Sequence, residues 1–303
     1  MKSYKDIIVV GSVAFDDIET VKGKREKLVG GSGTYFSLAA SIFTNVHLVG
    51  VVGDNFPSSY FDMFNSRSIS TKYLTRESGN TFHWGGVYSD DFSSRETLFT
   101  ELGVFEKFNP QIEDHNIEEP ILFLANIQPS LQKKIIQQVK NPSLIVLDTM
   151  NLWIDNNPEE LIDVIKDCNI LLINDEEILQ LSKKDNLLEG GKELLKLGLD
   201  CVIIKKGGDG ALIISKDTEE NIPAVPGIDM YDPTGAGDSF AGGFLGYIAS
   251  NKTWNIKDAV ITGSALASYT VAAFGIEGIK NLELNNVQKR IILINELMKG
   301  KLK

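Results

Sequence analysis

Short apolar runs alternate along the chain with stretches of helical periodicity. The runs are continuous in apolar residues, which is typical of strands covered by helices on both faces. They lie at 6–12, 46–53, 120–126, 143–149, 169–175 and 201–207. Segments with apolar residues at helical spacings lie between them, at 34–43, 57–67, 130–140 and 176–182. This alternation predicts a mainly parallel sheet in a three-layer α/β/α arrangement.

Two early segments, 16–31 and 79–102, have a different pattern. They are polar and interrupted by glycines, and their apolar residues alternate in part with a period of two. This pattern favours strands that are exposed on one face. We expect the two segments to pair into a small β sheet that acts as a lid beside the main sheet. The alternative is that both are surface loops.

Length and charge narrow the class of protein and its partners. The 303 residues, 43% of them hydrophobic, are enough for one large α/β domain with a small appendage. No apolar run reaches about 18 residues, so we expect no membrane span. Acidic residues outnumber basic residues by 41 to 30, and the net charge of −11 argues against nucleic acid or an anionic membrane as a partner.

Cysteine and histidine usage indicates a cytoplasmic protein without a zinc site. Cys168 and Cys201 lie in apolar segments, which is typical of buried free thiols in a reducing compartment. The three histidines, His47, His83 and His115, are far apart and do not have the spacing of zinc ligands. We expect each histidine to have a structural or surface role.

The segment DPTGAGDSFAGGFLGYIA, at 232–249, carries the clearest chemical signal. Its apolar residues recur at helical spacing from Phe240 onwards, so it is predicted to be a loop followed by a helix that begins near Gly237. The first amides of a helix have no partner within the helix, and glycine lets another group approach them closely. Gly235, Ala236 and Gly237 are therefore predicted to form an anion-binding turn.

Asp238 follows this turn and would lie in the first turn of the helix. The helix dipole favours an ionised group there, so we expect a carboxylate at neutral pH. A carboxylate repels a resting phosphate, but it can take the proton from a hydroxyl group that attacks phosphorus. The alternative is that Asp238 only caps the helix. The loop is neither a Walker A loop nor a dinucleotide-binding fingerprint, so residue chemistry alone leaves both interpretations open.

This segment closely resembles the C-terminal signature of the PfkB/ribokinase family of carbohydrate and nucleoside kinases. Further stretches resemble motifs of that family in the same order along the chain: VVGSVAFDDI, VGGSGTYFSLAASI, VHLVGVVGDNF, NDEE, KKGGDGA and SALASYTVAAFG. The resemblance implies a ribokinase-like α/β/α fold with a small β lid, in a single domain over residues 1–303. It also implies ATP as co-substrate, Mg²⁺ and, in some members, a monovalent cation such as K⁺.

The resemblance also implies roles for individual residues. Asp238 is the expected general base, and Gly235, Ala236 and Gly237 are the expected anion hole. The other implied roles are acceptor binding by Asp16, Gly30, Gly31 and Tyr35, nucleotide binding by Lys205, Gly207 and Gly210, water-mediated magnesium binding by Asn174 and Glu177, and monovalent cation binding by Asp232 and Thr234. The local alternatives are a turn cap for Asp16, a capping box for Asn174 and Glu177, a hairpin turn for Gly207 and Gly210, and a solvated side chain for Lys205.

The chain departs from the family pattern at several positions. Tyr35 stands where many members have an asparagine, the stretch at 148–153 reads DTMNLW without the usual arginine, and Lys205 stands where threonine is common. Aromatic residues on the expected acceptor side could stack on a nucleoside base or could pack in the core and lid. They are Phe15, Tyr35, Phe36 and Trp84. These departures leave the identity of the acceptor open.

The sequence therefore predicts an ATP-dependent kinase that phosphorylates a hydroxymethyl group of a sugar or sugar-like molecule. The alternative in the same chemistry is an adenosine-type nucleoside kinase. A more distant alternative is a ligand sensor that kept the fold without catalysis. Such a sensor should lack the base, the glycines or the magnesium-binding acid, whereas this chain has all of them. Family members often dimerise through their lid strands, which implies a possible homodimer.

Overall fold

The computed structural model describes residues 4–112 and 116–301. The strands in chain order are β1 (Ile7–Val10), β2 (Ala14–Thr20), β3 (Gly23–Gly30), β4 (Val46–Gly53), β5 (Ile69–Glu77), β6 (Phe82–Tyr88), β7 (Arg95–Glu101), β8 (Ile121–Leu124), β9 (Leu144–Asp148), β10 (Ile170–Asn174), β11 (Cys201–Lys205), β12 (Ala211–Ser215) and β13 (Glu219–Ile222). The α-helices are α1 (Ser32–Ala40), α2 (Ser58–Ser66), α3 (Pro129–Gln138), α4 (Asn151–Asn156), α5 (Pro158–Ile165), α6 (Asp175–Ser182), α7 (Leu187–Leu195), α8 (Ala236–Ser250), α9 (Ile256–Val271) and α10 (Leu284–Met298).

These strands form a large sheet and a small one. The large sheet has nine strands in the order β13-β12-β11-β10-β9-β8-β1-β4-β5. Its pairs are parallel from β11 to β5, whereas β12 and β13 pair antiparallel. The small sheet has the order β3-β2-β6-β7, with a parallel β2–β6 pair between two antiparallel pairs. The predicted α/β fold class, with a mainly parallel sheet and a small separate one, is confirmed.

The core lies on both faces of the large sheet. In β1, Ile7 and Val9 belong to one apolar cluster and Ile8 and Val10 to another, because successive side chains of a strand point to opposite faces. Helices α1, α8, α9 and α10 contribute to the first cluster, and α3, α5, α6 and α7 contribute to the second. This two-sided burial explains why the sequence of these strands is continuously apolar.

Each continuous apolar run in the sequence contains one strand of the large sheet, and these strands are β1, β4, β8, β9, β10 and β11. The pattern did not predict β5, whose residues ISTKYLTRE mix exposed and buried positions. It also did not predict β12 and β13. β5 and β13 are the two edge strands of the sheet, so they lack the continuous apolar sequence of the central strands.

The two cysteines are buried, and two of the histidines pair with aspartates. Cys168 and Cys201 are buried free thiols. His47 Nε2 lies 3.0 Å from Asp6 Oδ2, and His83 Nε2 lies 2.8 Å from Asp17 Oδ1. His115 lies outside the described residues. Within residues 4–112 and 116–301 we find no cluster of three or more histidine, cysteine or acidic side chains arranged for a metal, and no helix with the length and apolar character of a membrane span.

Candidate active site

The glycine turn before α8 has the geometry of an anion-binding site. Gly235 precedes the helix with a φ of +75°, in the left-handed region that favours glycine. A methyl group built on it would lie 2.3 Å from Cγ of the Tyr35 ring, so only glycine fits there. Across the described part of the chain, the backbone N–H groups of Gly237 and Asp238 have no hydrogen-bond partner. These free amides at a helix N-terminus are suited to receive an oxyanion.

Asp238 lies in the first turn of α8, but its carboxylate does not cap the helix. The pKa of Asp238 is raised to about 7, chiefly by burial and also by the charge of Asp148, while Lys205 opposes the rise. The helix dipole favours the ionised form, but desolvation outweighs the dipole here and brings the pKa close to neutral pH. A carboxyl group with a pKa near 7 is well matched to general-base catalysis.

Lys205 lies beside this turn and is held by a carboxylate. Its Nζ is 2.9 Å from Asp148 Oδ1 and 2.8 Å from Asp148 Oδ2, and a methyl group built on Gly237 would lie 3.2 Å from the same Nζ. β9 ends at Asp148 and β11 ends at Lys205, so the pair spans the carboxyl end of β10 between them. The solvated alternative for Lys205 is therefore wrong.

Asp148 has no role among the residues predicted from the sequence. It is only the first residue of the stretch DTMNLW, which departs from the family pattern. The available signal was an acidic residue at the carboxyl end of a buried parallel strand, which is where α/β proteins place their ligand sites.

Asn174 and Glu177 form a capping box at the start of α6. Asn174 Oδ1 accepts a hydrogen bond from the Glu177 N–H at 2.7 Å, and Glu177 Oε2 accepts one from the Asn174 N–H at 2.9 Å. Burial raises the pKa of Glu177 to about 7, and Lys205 opposes this rise. The capping alternative is thus correct as a description of local structure.

The capping box remains compatible with magnesium. Mg²⁺ keeps several of its waters in proteins and binds through one or two carboxylates together with substrate phosphates. Glu177 is buried within electrostatic range of Asp148, so the region offers oxygen donors of the right chemistry. These residues fit a water-mediated magnesium ion.

The residues expected to bind the acceptor form a second group. Asp16 is 4% exposed, and the N–H of Gly31 donates a hydrogen bond to its carboxylate. Gly30 must lack a side chain, because a methyl group there would lie 1.9 Å from Asp16 Oδ2. Burial raises the pKa of Asp16 to about 8, and the charges of Asp232 and Asp238 contribute. The effect of the Asp238 charge on Asp16 shows that the residues expected to bind the acceptor lie close to the candidate base.

Tyr35 and its aromatic neighbours differ in what they contact. Tyr35 is buried against Gly235, and its hydroxyl has no hydrogen-bond partner among the residues that the structure describes. Phe36 stacks on Phe123 in the core, with ring centroids 4.2 Å apart. Phe15 packs on Phe56, and Trp84 packs beneath the guanidinium of Arg95. Phe36 is therefore a core residue, and it is not available to stack on a nucleoside base.

The predicted monovalent cation residues are already hydrogen-bonded. Asp232 accepts the backbone N–H of Thr234 at one oxygen and that of Gly275 at the other, each at 2.9 Å. The carbonyl of Val271 accepts the N–H of Tyr231 at 2.7 Å. Each carboxylate oxygen of Asp232 keeps a further lone pair, and cation binding at Asp232 and Thr234 stays a prediction.

The small sheet is docked onto the same loop. The Tyr88 hydroxyl at the end of β6 lies 2.9 Å from Thr234 Oγ1. Thr20 Oγ1 on β2 donates to the carbonyl of Tyr231 at 3.0 Å. These bonds connect the two central strands of the small sheet to the loop that leads into the anion-binding turn.

The last predicted group lies in the hairpin between β11 and β12. Gly207 and Gly210 both have positive φ, and the N–H of Lys206 donates to the carbonyl of Gly210 at 2.8 Å. The two glycines do turn a hairpin, as the local alternative states. The hairpin begins directly after Lys205, whose Nζ lies beside Gly237 of the anion-binding turn.

Comparison with known proteins agrees with this geometry. A family model described as pfkB family carbohydrate kinase matches residues 5–279. The chain is 27% identical over 236 residues to a nucleoside kinase from Methanocaldococcus jannaschii, covering 77% of this chain and 75% of that protein. It is also 27% identical over 254 residues to a cytidine kinase from Thermococcus kodakarensis, covering 79% of this chain and 87% of that protein.

A solved structure shows the same fold. The nucleoside kinase of Burkholderia thailandensis in complex with inosine matches this chain with a TM-score of 0.80 at 20% identity. The match covers 97% of this chain and 98% of that chain. The likeness therefore includes both the large sheet and the small one.

Proposed function

We propose a detailed reaction from one established premise: this chain belongs to the pfkB family of carbohydrate kinases. The prediction of an ATP-dependent kinase for a sugar or nucleoside acceptor is confirmed. We propose that the phosphoryl group is transferred to the primary hydroxyl of a hydroxymethyl group attached to the sugar ring of the acceptor. The observation that carries this proposal is the position of Asp238 beside two unpartnered helix amides, those of Gly237 and Asp238 itself.

The proposed step is an in-line displacement at the γ-phosphorus of ATP. The acceptor oxygen forms a bond to phosphorus, its proton passes to the Asp238 carboxylate, and the bond from phosphorus to the oxygen of the leaving ADP breaks. The free N–H groups of the turn stabilise the charge on the transferring group. A base positioned in this way contributes about 10²- to 10⁴-fold in rate.

The remaining site residues bind the two substrates. Asp16, together with Gly30 and Gly31, binds the sugar hydroxyls of the acceptor. The charge of Asp238 raises the pKa of Asp16, which supports an acceptor position close to the candidate base. The hairpin with Gly207 and Gly210 borders the nucleotide. Tyr35 forms the wall between the acceptor pocket and the anion-binding turn, because its ring packs on Gly235.

Magnesium would be held through waters by Asn174 and Glu177. When bound, Mg²⁺ neutralises the negative charge of the ATP phosphates and helps to orient them. The protein residues contribute the buried oxygen donors described above, and Lys205 supplies a further positive charge nearby.

The acceptor is either a free sugar or a nucleoside. The nucleoside and cytidine kinases among the relatives favour a nucleoside. The packing of Phe36 on Phe123 removes one of the aromatic residues that could have stacked on a base. We therefore keep the hydroxymethyl group of a sugar ring as the reacting unit, and we regard a nucleoside as the specific candidate.

We also propose that the chain works as one domain, with the small sheet as a lid over the acceptor. The hydrogen bonds of Thr20 and Tyr88 to the loop at 231–234 support this role. Both edge strands of the small sheet, β3 and β7, are largely exposed, which accords with a homodimer formed through them. The buried free thiols Cys168 and Cys201 accord with the predicted cytoplasmic location.

An acceptor screen tests this proposal. Purified protein is given ATP and Mg²⁺ with ribose, fructose, sugar acids, adenosine, inosine or cytidine, and ADP release is followed while the phosphorylated carbon is identified by NMR. We expect phosphorylation of a hydroxymethyl group in either the sugars or the nucleosides. If only nucleosides are phosphorylated, the protein is a nucleoside kinase. The proposal would be contradicted if a ring hydroxyl is phosphorylated, or if none of these acceptors stimulates the release of ADP.

A further inference from the structure

The ammonium group of Lys205 lies between a carboxylate and the anion-binding turn. Asp148 takes two of its hydrogen-bond donors, at 2.8 and 2.9 Å, and the two side chains are only 5% and 16% exposed for Asp148 and Lys205. An ammonium has three donors, so one remains. In the described structure the ammonium has no further protein acceptor, and a methyl group built on Gly237 would lie 3.2 Å from its nitrogen.

The surroundings of Lys205 are strongly acidic. Burial alone would lower the pKa of Lys205, but the charges of Asp148, Glu177 and Asp238 raise it above its ordinary value. Lys205 is therefore a permanent cation among three acids. An incoming triphosphate would be repelled by these acids, and Lys205 is the buried cation that lies against the turn and offsets them.

We infer that Lys205 is a catalytic residue that donates its third N–H to the transferring phosphoryl group, and that Asp148 is a positioning residue that holds it there. This inference rests on the proposed phosphoryl transfer and names a further donor in the same step. No covalent bond to Lys205 forms, and the acceptor proton still passes to Asp238. A donor that is fixed before the reaction stabilises the transition state without reorganisation.

A purely structural ion pair is the rival explanation, since the pair joins the ends of β9 and β11 across β10. Buried ion pairs contribute little net stability compared with apolar residues, because both charges lose their hydration. A purely structural pair would change the melting temperature but would leave the plateau value of kcat in the folded protein unchanged. The free third donor beside the turn favours the catalytic role.

The test compares Lys205→Met, Lys205→Arg and Asp148→Asn with the control Lys166→Met. Lys166 is an exposed lysine that follows α5, and its Nζ pairs with Asp163 Oδ1 at 3.0 Å. Loss of one transition-state donor is expected to lower kcat about 100-fold or more in Lys205→Met. Lys205→Arg keeps the charge and should recover part of that loss. Lys166→Met should leave kcat unchanged, and thermal melts followed by circular dichroism check that each variant is folded.

The dependence of kcat/KM on pH gives a second readout. The titratable groups that face Asp238 are Asp148, Lys205, Asp16 and Tyr35. Because Lys205 lowers the pKa of Asp238 and Asp148 raises it, the acid limb should move to higher pH in Lys205→Met and to lower pH in Asp148→Asn. An unchanged limb and an unchanged kcat in Lys205→Met, with Asp238→Asn inactive, would overturn this inference and leave the proposed function intact. Full activity of Asp238→Asn would instead overturn the proposed function.

Discussion

Gly235 and Tyr35 touch so closely that no side chain can be added between them. A Cβ atom at Gly235 would lie 2.3 Å from Cγ of the Tyr35 ring and 2.4 Å from both Cδ atoms. The contact joins the turn that is proposed to receive the phosphoryl group to α1, the helix that carries Tyr35. The position of the turn therefore depends on the packing of Tyr35.

Gly235→Ala is expected to lower both stability and activity. The φ of +75° strains any residue with a side chain, and the new methyl group overlaps the Tyr35 ring. Together these effects should lower the free energy of unfolding by about 2–4 kcal/mol, measured by urea denaturation. The second variant Gly235→Ala with Tyr35→Ala should fold with less overlap but should remain impaired in kcat.

Gly198→Ala separates backbone strain from overlap. Gly198 has a φ of +105° and no heavy atom within 4 Å of the added Cβ position. In Gly198→Ala the free energy of unfolding falls because of backbone strain alone, so the decrease should be smaller than in Gly235→Ala. Equal decreases in the two variants would show that overlap with the Tyr35 ring does not destabilise Gly235→Ala.

Tyr88→Phe is expected to loosen the lid. The change removes the hydrogen bond between the Tyr88 hydroxyl and Thr234 Oγ1 and leaves the ring in place. Water should then enter the site more readily, so ATP hydrolysis without acceptor should rise a fewfold relative to transfer, and KM for the acceptor should rise. Both rates follow from ADP release with and without acceptor.

Tyr60→Phe is the matched control for this variant. Its hydroxyl makes no hydrogen bond within the described residues, while its ring packs on Phe56 as a phenylalanine ring also can. It should behave as the unmodified protein. If Tyr88→Phe shows the same ratio of hydrolysis to transfer as Tyr60→Phe, the small sheet does not exclude water through this contact.

Asp16→Asn should stabilise the protein at alkaline pH. Burial and nearby acids raise the pKa of Asp16 in the folded state to about 8. The folded state therefore holds a proton that the unfolded state releases near the ordinary pKa of 3.8, so the stability associated with that proton is lost as the pH rises from about 4 to about 8 and stays lost above that. An asparagine has no proton to lose, so the melting temperature of the variant should exceed that of the parent by at least about 2 °C near pH 9, with a smaller difference near pH 5.

Thermal melts across this pH range check the prediction, with the exposed residue Asp62 changed to asparagine as the control. The control should not show a pH-dependent gain. A gain in Asp16→Asn that is as large near pH 5 as near pH 9 would show that Asp16 is ionised in the folded protein throughout. The same variant should have a raised KM for the acceptor.

The sequence was sufficient for the central strands and for the glycine turn before Asp238, because both depend on local patterns. Continuous apolar runs marked strands such as β4, Val46–Gly53, and the glycines before Asp238 marked the turn. The edge strand β5 has a mixed pattern because one part of it is exposed, so periodicity did not reveal it.

Other features depend on the register of strands that are distant in the chain. Asp148 and Lys205 meet because β9 and β11 end at the same edge of the sheet, and no spacing in the sequence states that. The pKa of Asp238 likewise depends on burial by the assembled site, whereas the sequence shows only its place at a helix start. The capping box of Asn174 and Glu177 could be predicted from the sequence. A metal-binding role for the same two residues does not follow from that local pattern.

The central claim is that Asp238 removes the acceptor proton, and Asp238→Asn tests it most directly. The decisive measurement is the turnover rate of this variant with the acceptor found in the screen, alongside its affinity for ADP measured by calorimetry. We expect nearly unchanged ADP binding and a kcat at least about 100-fold lower, with loss of the acid limb near pH 7. A variant that binds ADP and keeps most of its turnover would show that Asp238 is not the base.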